Sequence, residues 1–292
     1  MSGASGLIGS AVVPWLERNG YEVTRLVRGT PSAAAQIAWQ PTRLLDPRLL
    51  SGFDAVIHLA GESIIGRWTE AKKKRILESR VGATRTLAEA LAQAPERPRV
   101  LLCASAVGYY GNRGDEPLHE ESSSGDQFAS LLSRQWERAS QPAADAGIRT
   151  VALRFGAVLS RQGGALGQML TPFKLGLGGK MGSGRQWISW IAVQDVIGAI
   201  QWILRRDGCS GPFNLVAPNP VTNEEFTTTL ASVLSRPAFF SLPGFAVRWA
   251  LGEMGTEILL GSQRVEPRKL IAGGYIFEQP QLRPALEAIL RR

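Results

Sequence analysis

Gly3-Ala4-Ser5-Gly6-Leu7-Ile8-Gly9 sets three glycines at three-residue intervals, directly ahead of Ser10–Arg18, whose apolar residues recur with helical spacing. A turn of this composition lets backbone N–H groups approach a pyrophosphate, and the helix after it turns its positive end toward that charge. Glycine spacing alone is a weak signal. Here it gains weight from Asn19-Gly20, which stops the helix, and from Tyr21–Val27, a β-rich run. In dinucleotide-binding units an acidic residue about 20 positions after the turn holds the ribose 2′-hydroxyl of NAD. Val27-Arg28 stands at that place instead. An arginine fork suits phosphate oxygens, so NADP is expected ahead of NAD; the other reading is a strand-end arginine on the surface.

The turn is normally aimed by a strand immediately before it, yet only Met1 and Ser2 precede Gly3. The first strand is therefore expected to be missing, leaving its two neighbours in the sheet short of ladder partners. On that argument the native start lies roughly five to eight residues upstream, about one strand length.

Farther along, strands alternate with helices. Ala55–Leu59 and Val100–Cys103 are short, almost wholly apolar runs, as in parallel strands buried on both faces, and Thr150–Phe155 continues the series. Val81–Ala94 and Phe128–Ala144 have helical spacing between them. The pattern predicts an α/β fold, a Rossmann-like doubly wound parallel sheet covered by helices. After Leu159 come a glycine-rich loop (Gly176–Gly184), Trp187–Ile191, a helix with Asp195 as its expected N-cap, and the strand Phe213–Val216; the rest is mainly helical. The expected organisation is a nucleotide-binding domain over 1–160, joined again by about 190–217. Residues 161–189 and 218–292 would form a smaller, mainly helical lobe on the substrate side.

The chain has 292 residues, 44% of them apolar, which is ample for a large core. Its two histidines, His58 and His119, exclude multi-histidine metal sites, and no metal is expected. Two cysteines, Cys103 and Cys209, make no disulfide framework and read as reduced thiols of a cytoplasmic protein. No apolar run reaches the roughly 18 residues of a membrane span. The net charge of +8 attracts anions in general, but no basic-aromatic motif supports nucleic acid. The expected partner is a small molecule, with neither nucleic acid nor membrane involved. Lys72-Lys73-Lys74-Arg75 reads as a solvated helix face.

Several stretches together resemble a known group: Ser2–Gly9, His58-Leu-Ala-Gly-Glu-Ser63, Ser105-Ala-Val-Gly-Tyr-Tyr-Gly111, Arg154–Leu159, Pro172–Gly179, Gly261–Pro267 and Gly273–Phe277. In this order they resemble the epimerase-like branch of the extended short-chain dehydrogenase/reductase superfamily, which carries an appended C-terminal domain of unknown function. The resemblance implies that Gly3, Ser5, Gly6, Leu7, Ile8 and Gly9 bind the cofactor's pyrophosphate side. It also implies that Val27 and Arg28 meet the ribose, that Leu59, Ala60 and Gly61 run beside the cofactor, and that Arg80 reaches it from the following helix. Glu62 would sit near the nicotinamide end, as a general base or substrate ligand; as a residue it reads equally well as a capping or salt-bridged glutamate.

In the wider superfamily a serine and a Tyr-x-x-x-Lys pair move the proton. Ser105 can stand as the serine, but Phe128 and Leu132 occupy the other two positions, and none of the four tyrosines begins such a pair. Tyr109 or Glu62 would have to assist Ser105. Ala192 stands where the branch often has a histidine, and Arg185 reads either as a phosphate ligand or as an exposed loop residue. Two functions follow: an NADP-dependent oxidoreductase or epimerase-like enzyme working by hydride transfer, or a degenerate NADP(H)-binding sensor.

Overall fold

Residues 1–291 are described by a computed structural model, whose centre is a parallel sheet. From one edge the strands run Gln36–Ala38, Arg25–Val27, Ala55–His58, Val100–Ala106, Arg149–Phe155 and Gly211–Leu215. Between the second and third, Ser2 alone makes parallel bridges to Leu26 and His58. Its N–H donates to Ile57 O (3.0 Å), and Leu26 N–H donates to Met1 O (2.8 Å). The expected gap is thus spanned at one end by two residues, while no strand occupies it among the described residues. The run expected over Tyr21–Val27 forms a strand only at Arg25–Val27.

Successive residues of a strand face opposite sides, and the core divides accordingly. Leu102, Val151 and Leu153 pack beneath the helices Leu7–Arg18 and Val193–Leu204 through Val12, Leu16, Val196 and Ile200. Leu101 and Val56 pack on the other face against Leu87 and Leu91 of the helix Ala83–Ala92. Helical structure starts ahead of the expected Val81–Ala94. Glu70–Leu77 runs into Ala83–Ala92 through a wide turn at Glu78–Gly82, the kind of bulge that often serves a site.

A further core gathers the helices Gly164–Lys174, Asn223–Val233 and Leu282–Arg291 around Trp190, with Leu166, Leu230 and Leu286 buried among them. Arg292, the last residue of the expected lobe, lies outside the described residues.

Asp195 is not an N-cap. Ala192 holds that position, and Asp195 lies inside the first turn of Val193–Leu204, fully buried. Its carboxylate accepts from the backbone N–H groups of Glu278 (2.7 Å) and Gln279 (2.9 Å) and from the Tyr275 hydroxyl (3.2 Å). Burial raises its pKa. The residue clasps the C-terminal segment to the main domain. Among the described residues no helix is long and apolar enough to cross a membrane.

Candidate functional site

At the C-terminal edge of the sheet the glycine turn packs onto the end of the neighbouring strand. Gly3 has φ +69°, and a Cβ there would lie 2.6 Å from the Leu59 carbonyl carbon. A Cβ on Gly9 would meet Gly3 O at 2.1 Å, so the helix can close on the turn only without a side chain. Ser5 and Gly6 are exposed at the apex. The helix Leu7–Arg18 has no side-chain cap and no acidic residue in its first turn. Its open N–H groups make a ready anion site beside Leu59, Ala60 and Gly61.

Arg28 leaves the end of Arg25–Val27 and lines a cavity of about 650 Å³. Arg43 lines the same cavity, together with Thr30, Trp39 and Gln40. Both arginines are exposed. The indole N–H of Trp39 is buried without a hydrogen-bond partner among the described residues. Arg43 escapes sequence reading because it sits in a loop without motif, and only the fold sets it across from Arg28.

The wide turn at Glu78–Gly82 places Ser79 and Arg80 against the chain after Ala55–His58. Glu62 N–H donates to Ser79 Oγ (3.0 Å), and Arg80 Nη1 donates to Glu62 O (2.8 Å). The Arg80 guanidinium lies where a Cβ on Gly61 would come within 3.1 Å of it, and over Trp136 at 5.0 Å from the ring centroid. Burial pushes this cation down to about 10.

Of the two readings of Glu62, the ion-paired one is observed. Lys72 Nζ lies 2.8 Å from its carboxylate, and Arg75 is 3.9 Å away. Lys72 above all holds the carboxyl below its ordinary range, with Arg75 and Arg28 adding to the effect. A general base working near neutral pH needs the opposite shift. The lysine run is correspondingly no uniform solvated face: Lys72 and Lys73 pair with Glu62 and Glu253, while Lys74 and Arg75 remain open to water.

Ser105 lies near the end of the strand Val100–Ala106. It is 2% exposed and donates to Glu137 Oε1 (2.7 Å), and the Arg154 fork grips the same carboxylate at 2.7 and 2.8 Å. Arg154 continues to the Tyr110 hydroxyl (3.0 Å), which donates to Asn214 Oδ1 (2.7 Å). Glu120 Oε1 in turn accepts from Asn214 N–H (3.1 Å) and Lys269 N–H (3.3 Å). Ser105 belongs to this chain of hydrogen bonds, as a donor to Glu137. Tyr109 packs its ring 3.5 Å from the Arg154 guanidinium carbon, edge-on to Tyr110, and its hydroxyl has no hydrogen-bond partner among the described residues.

Phe128 and Leu132 lie in an apolar cluster with Trp68, Ile76 and Met254. At the N-terminus of their helix, Phe128–Arg138, the buried Glu257 carboxylate accepts from the N–H groups of Phe128 (3.2 Å) and Ala129 (2.9 Å). Burial raises its pKa. This contact joins positions 128 and 257, a separation no local pattern could reveal. Arg185 is an exposed loop residue.

Comparison with known proteins places the chain in a family. The model of the NAD dependent epimerase/dehydratase family matches residues 1–215. The chain belongs to that family. A domain of unknown function, DUF1731, matches residues 242–289. Epimerase family protein Mb2239 of Mycobacterium bovis is 41% identical over 98% of this chain and 95% of its own length. Epimerase family protein SDR39U1 of Homo sapiens is 38% identical, over 99% and 98%. The crystal structure of human SDR39U1 (isoform2) with NADPH superimposes with a TM-score of 0.90 at 37% identity, covering 100% of this chain and 98% of that one. The family member described here thus has the Rossmann-like parallel sheet and the helical C-terminal part throughout.

Proposed function

We propose that this protein binds NADP(H) and transfers hydride between the nicotinamide and a carbonyl or alcohol carbon of a small molecule. The observation that carries the reading is the open, uncapped turn at Gly3–Gly9 facing Leu59–Gly61, with Arg28 and Arg43 sharing the cavity beyond Val27. The turn suits a pyrophosphate, and two guanidinium groups suit a ribose 2′-phosphate. The NADPH in the human SDR39U1 crystal structure supports the same choice of nucleotide. When bound, the nicotinamide supplies the hydride-accepting or hydride-donating carbon. Leu59, Ala60 and Gly61 line its path, and Arg80 presents a half-buried cation beside them. Glu62 serves by holding Lys72 and Arg75 in place. Tyr109 has the uncommitted hydroxyl best suited to move the substrate proton, while Ser105 stiffens the wall behind it through Glu137 and Arg154.

A second reading, a binding protein that senses NADP(H) without turnover, is favoured by the apolar surroundings of Phe128 and Leu132. One experiment separates the two. NADPH and NADH are titrated by fluorescence, and the NADPH-loaded protein is then offered aldehydes, quinones and nucleotide sugars. Tight NADPH binding with turnover of any of these supports the enzyme. Binding without turnover across the panel supports the sensor, and absence of binding overturns both.

A further inference from the structure

Nucleotide binding leaves one face of the expected smaller lobe without a role. Leu175, Phe239, Phe240, Leu242, Phe245 and Trp249 all stand open to solvent there, Phe239 at 91% and Trp249 at 82% exposure. Backbone pairing and chain connection bring them close together. The strand Phe240–Leu242 pairs in register with Gly179–Met181, just beyond Leu175, and Arg236 Nε donates to Lys174 O (3.0 Å) beside it. The helix Gly244–Met254 follows directly, with Phe245 and Trp249 one turn apart. Single exposed apolar residues are ordinary on a soluble protein, but a contiguous group of rings marks an interaction surface.

The charges around this face say what it meets. The chain has no Asp or Glu between Asp145 and Asp195, and none between Glu225 and Glu253. Lys174, Arg236 and Arg248 in those segments are exposed, and the nearby Lys180 already occupies Glu224 at 2.8 Å. A second copy docked on this face about a two-fold axis would bring two net-positive surfaces together. Aromatic rings flanked by long basic side chains have the chemistry of a lipid interface. The rings enter the boundary between headgroup and acyl chain, and the cations reach lipid phosphates. Against the sequence expectation of no membrane partner, we propose that this face docks the protein reversibly on bilayers rich in anionic phospholipids, as a surface contact without any span.

The test sediments the full chain with vesicles of phosphatidylcholine alone and of phosphatidylcholine mixed with phosphatidylglycerol. Binding is expected only to the anionic vesicles, fading as salt is raised. Replacing both arginines, Arg236→Glu with Arg248→Glu, should weaken it by roughly tenfold or more. Phe245→Ser with Trp249→Ser should remove it while circular dichroism and melting temperature stay unchanged. Absence of binding at low salt overturns the proposal, as does binding by folded variants equal to the parent's. A concentration-dependent dimer that the aromatic substitutions dissolve, with no vesicle binding, assigns the face to a second copy and overturns it as well.

Discussion

Arg28 and Arg43 make the choice of nucleotide testable one side chain at a time. Arg28→Ala should weaken NADPH binding by about 1–3 kcal/mol, the range for a charge-assisted hydrogen bond, and Arg43→Ala should act in the same direction. NADH binding should hardly change. Equal losses for both nucleotides would show that the arginines do not read the 2′-phosphate. Ser105→Ala, which removes a hydrogen bond to Glu137, should cost about 1 kcal/mol in urea unfolding with little effect on NADPH affinity. Tyr109→Phe should instead lower turnover at unchanged affinity, and unaltered turnover would remove Tyr109 from the proton path. His58 supplies a pH dependence. Its ring is fully buried, Ser2 Oγ lies 2.6 Å from Nδ1, and burial pushes its pKa from 6.5 down to about 4. Between those values the unfolded chain binds a proton that the folded protein refuses. Stability is therefore full above the upper value and falls as pH drops through the window, by about 1.4 kcal/mol per pH unit at most. The parent should lose stability faster than His58→Gln from pH 6.5 downward; identical slopes in urea titrations would refute this.

Among the elements, two helices of the main domain are tied to the C-terminal part by carboxylates inside their first turns or at their starts. Asp195 in Val193–Leu204 accepts two backbone N–H groups and a tyrosine hydroxyl. Glu257 closes the N-terminus of Phe128–Arg138 from the other direction. Asp195→Ala leaves the N–H groups of Glu278 and Gln279 without this acceptor, while the Tyr275 hydroxyl keeps Asp195 O at 3.1 Å, and should cost about 2 kcal/mol. Hydrogen exchange should quicken first at the amides of Glu278 and Gln279, and unchanged protection there would mean that the segment is held by its apolar contacts alone. Phe128→Tyr should leave turnover no higher than the parent's, and a clear rise would overturn this. The new hydroxyl would enter a cluster with Leu132 and Met254, with no lysine at position 132 to lower its pKa.

Taken whole, the molecule gathers the glycine turn, the Arg28 cavity and the wide turn carrying Arg80 at one edge of the sheet. A nucleotide spanning them would bind the folded state alone. NADPH at about 100 times its Kd should then stabilise the protein by roughly 2.7 kcal/mol, seen as a rise in melting temperature. NADH at the same concentration should raise it less. Equal shifts would argue against selection for the phosphate. The net charge of +8 predicts that both shifts shrink as salt is added.

The sequence alone determined the parallel α/β architecture, because its evidence is local. Glycine spacing at Gly3–Gly9 and the short apolar runs at Ala55–Leu59, Val100–Cys103 and Thr150–Phe155 each carry their meaning within a few residues. The empty positions at Phe128 and Leu132, and Arg28 at its strand end, were legible for the same reason. What each polar side chain faces was not. That Glu62 has Lys72 2.8 Å away, and that Ser105 donates a hydrogen bond to Glu137, could be read only from the fold. Asp195 looked like a cap because aspartate favours caps, yet its partners lie at Tyr275, Glu278 and Gln279. Arg43 meets the Arg28 cavity, and Glu257 meets Phe128, only through the folded chain. Desolvation and pairing, which set the charge state and freedom of these groups, depend on neighbours distant in sequence, and only the tertiary structure brings them together.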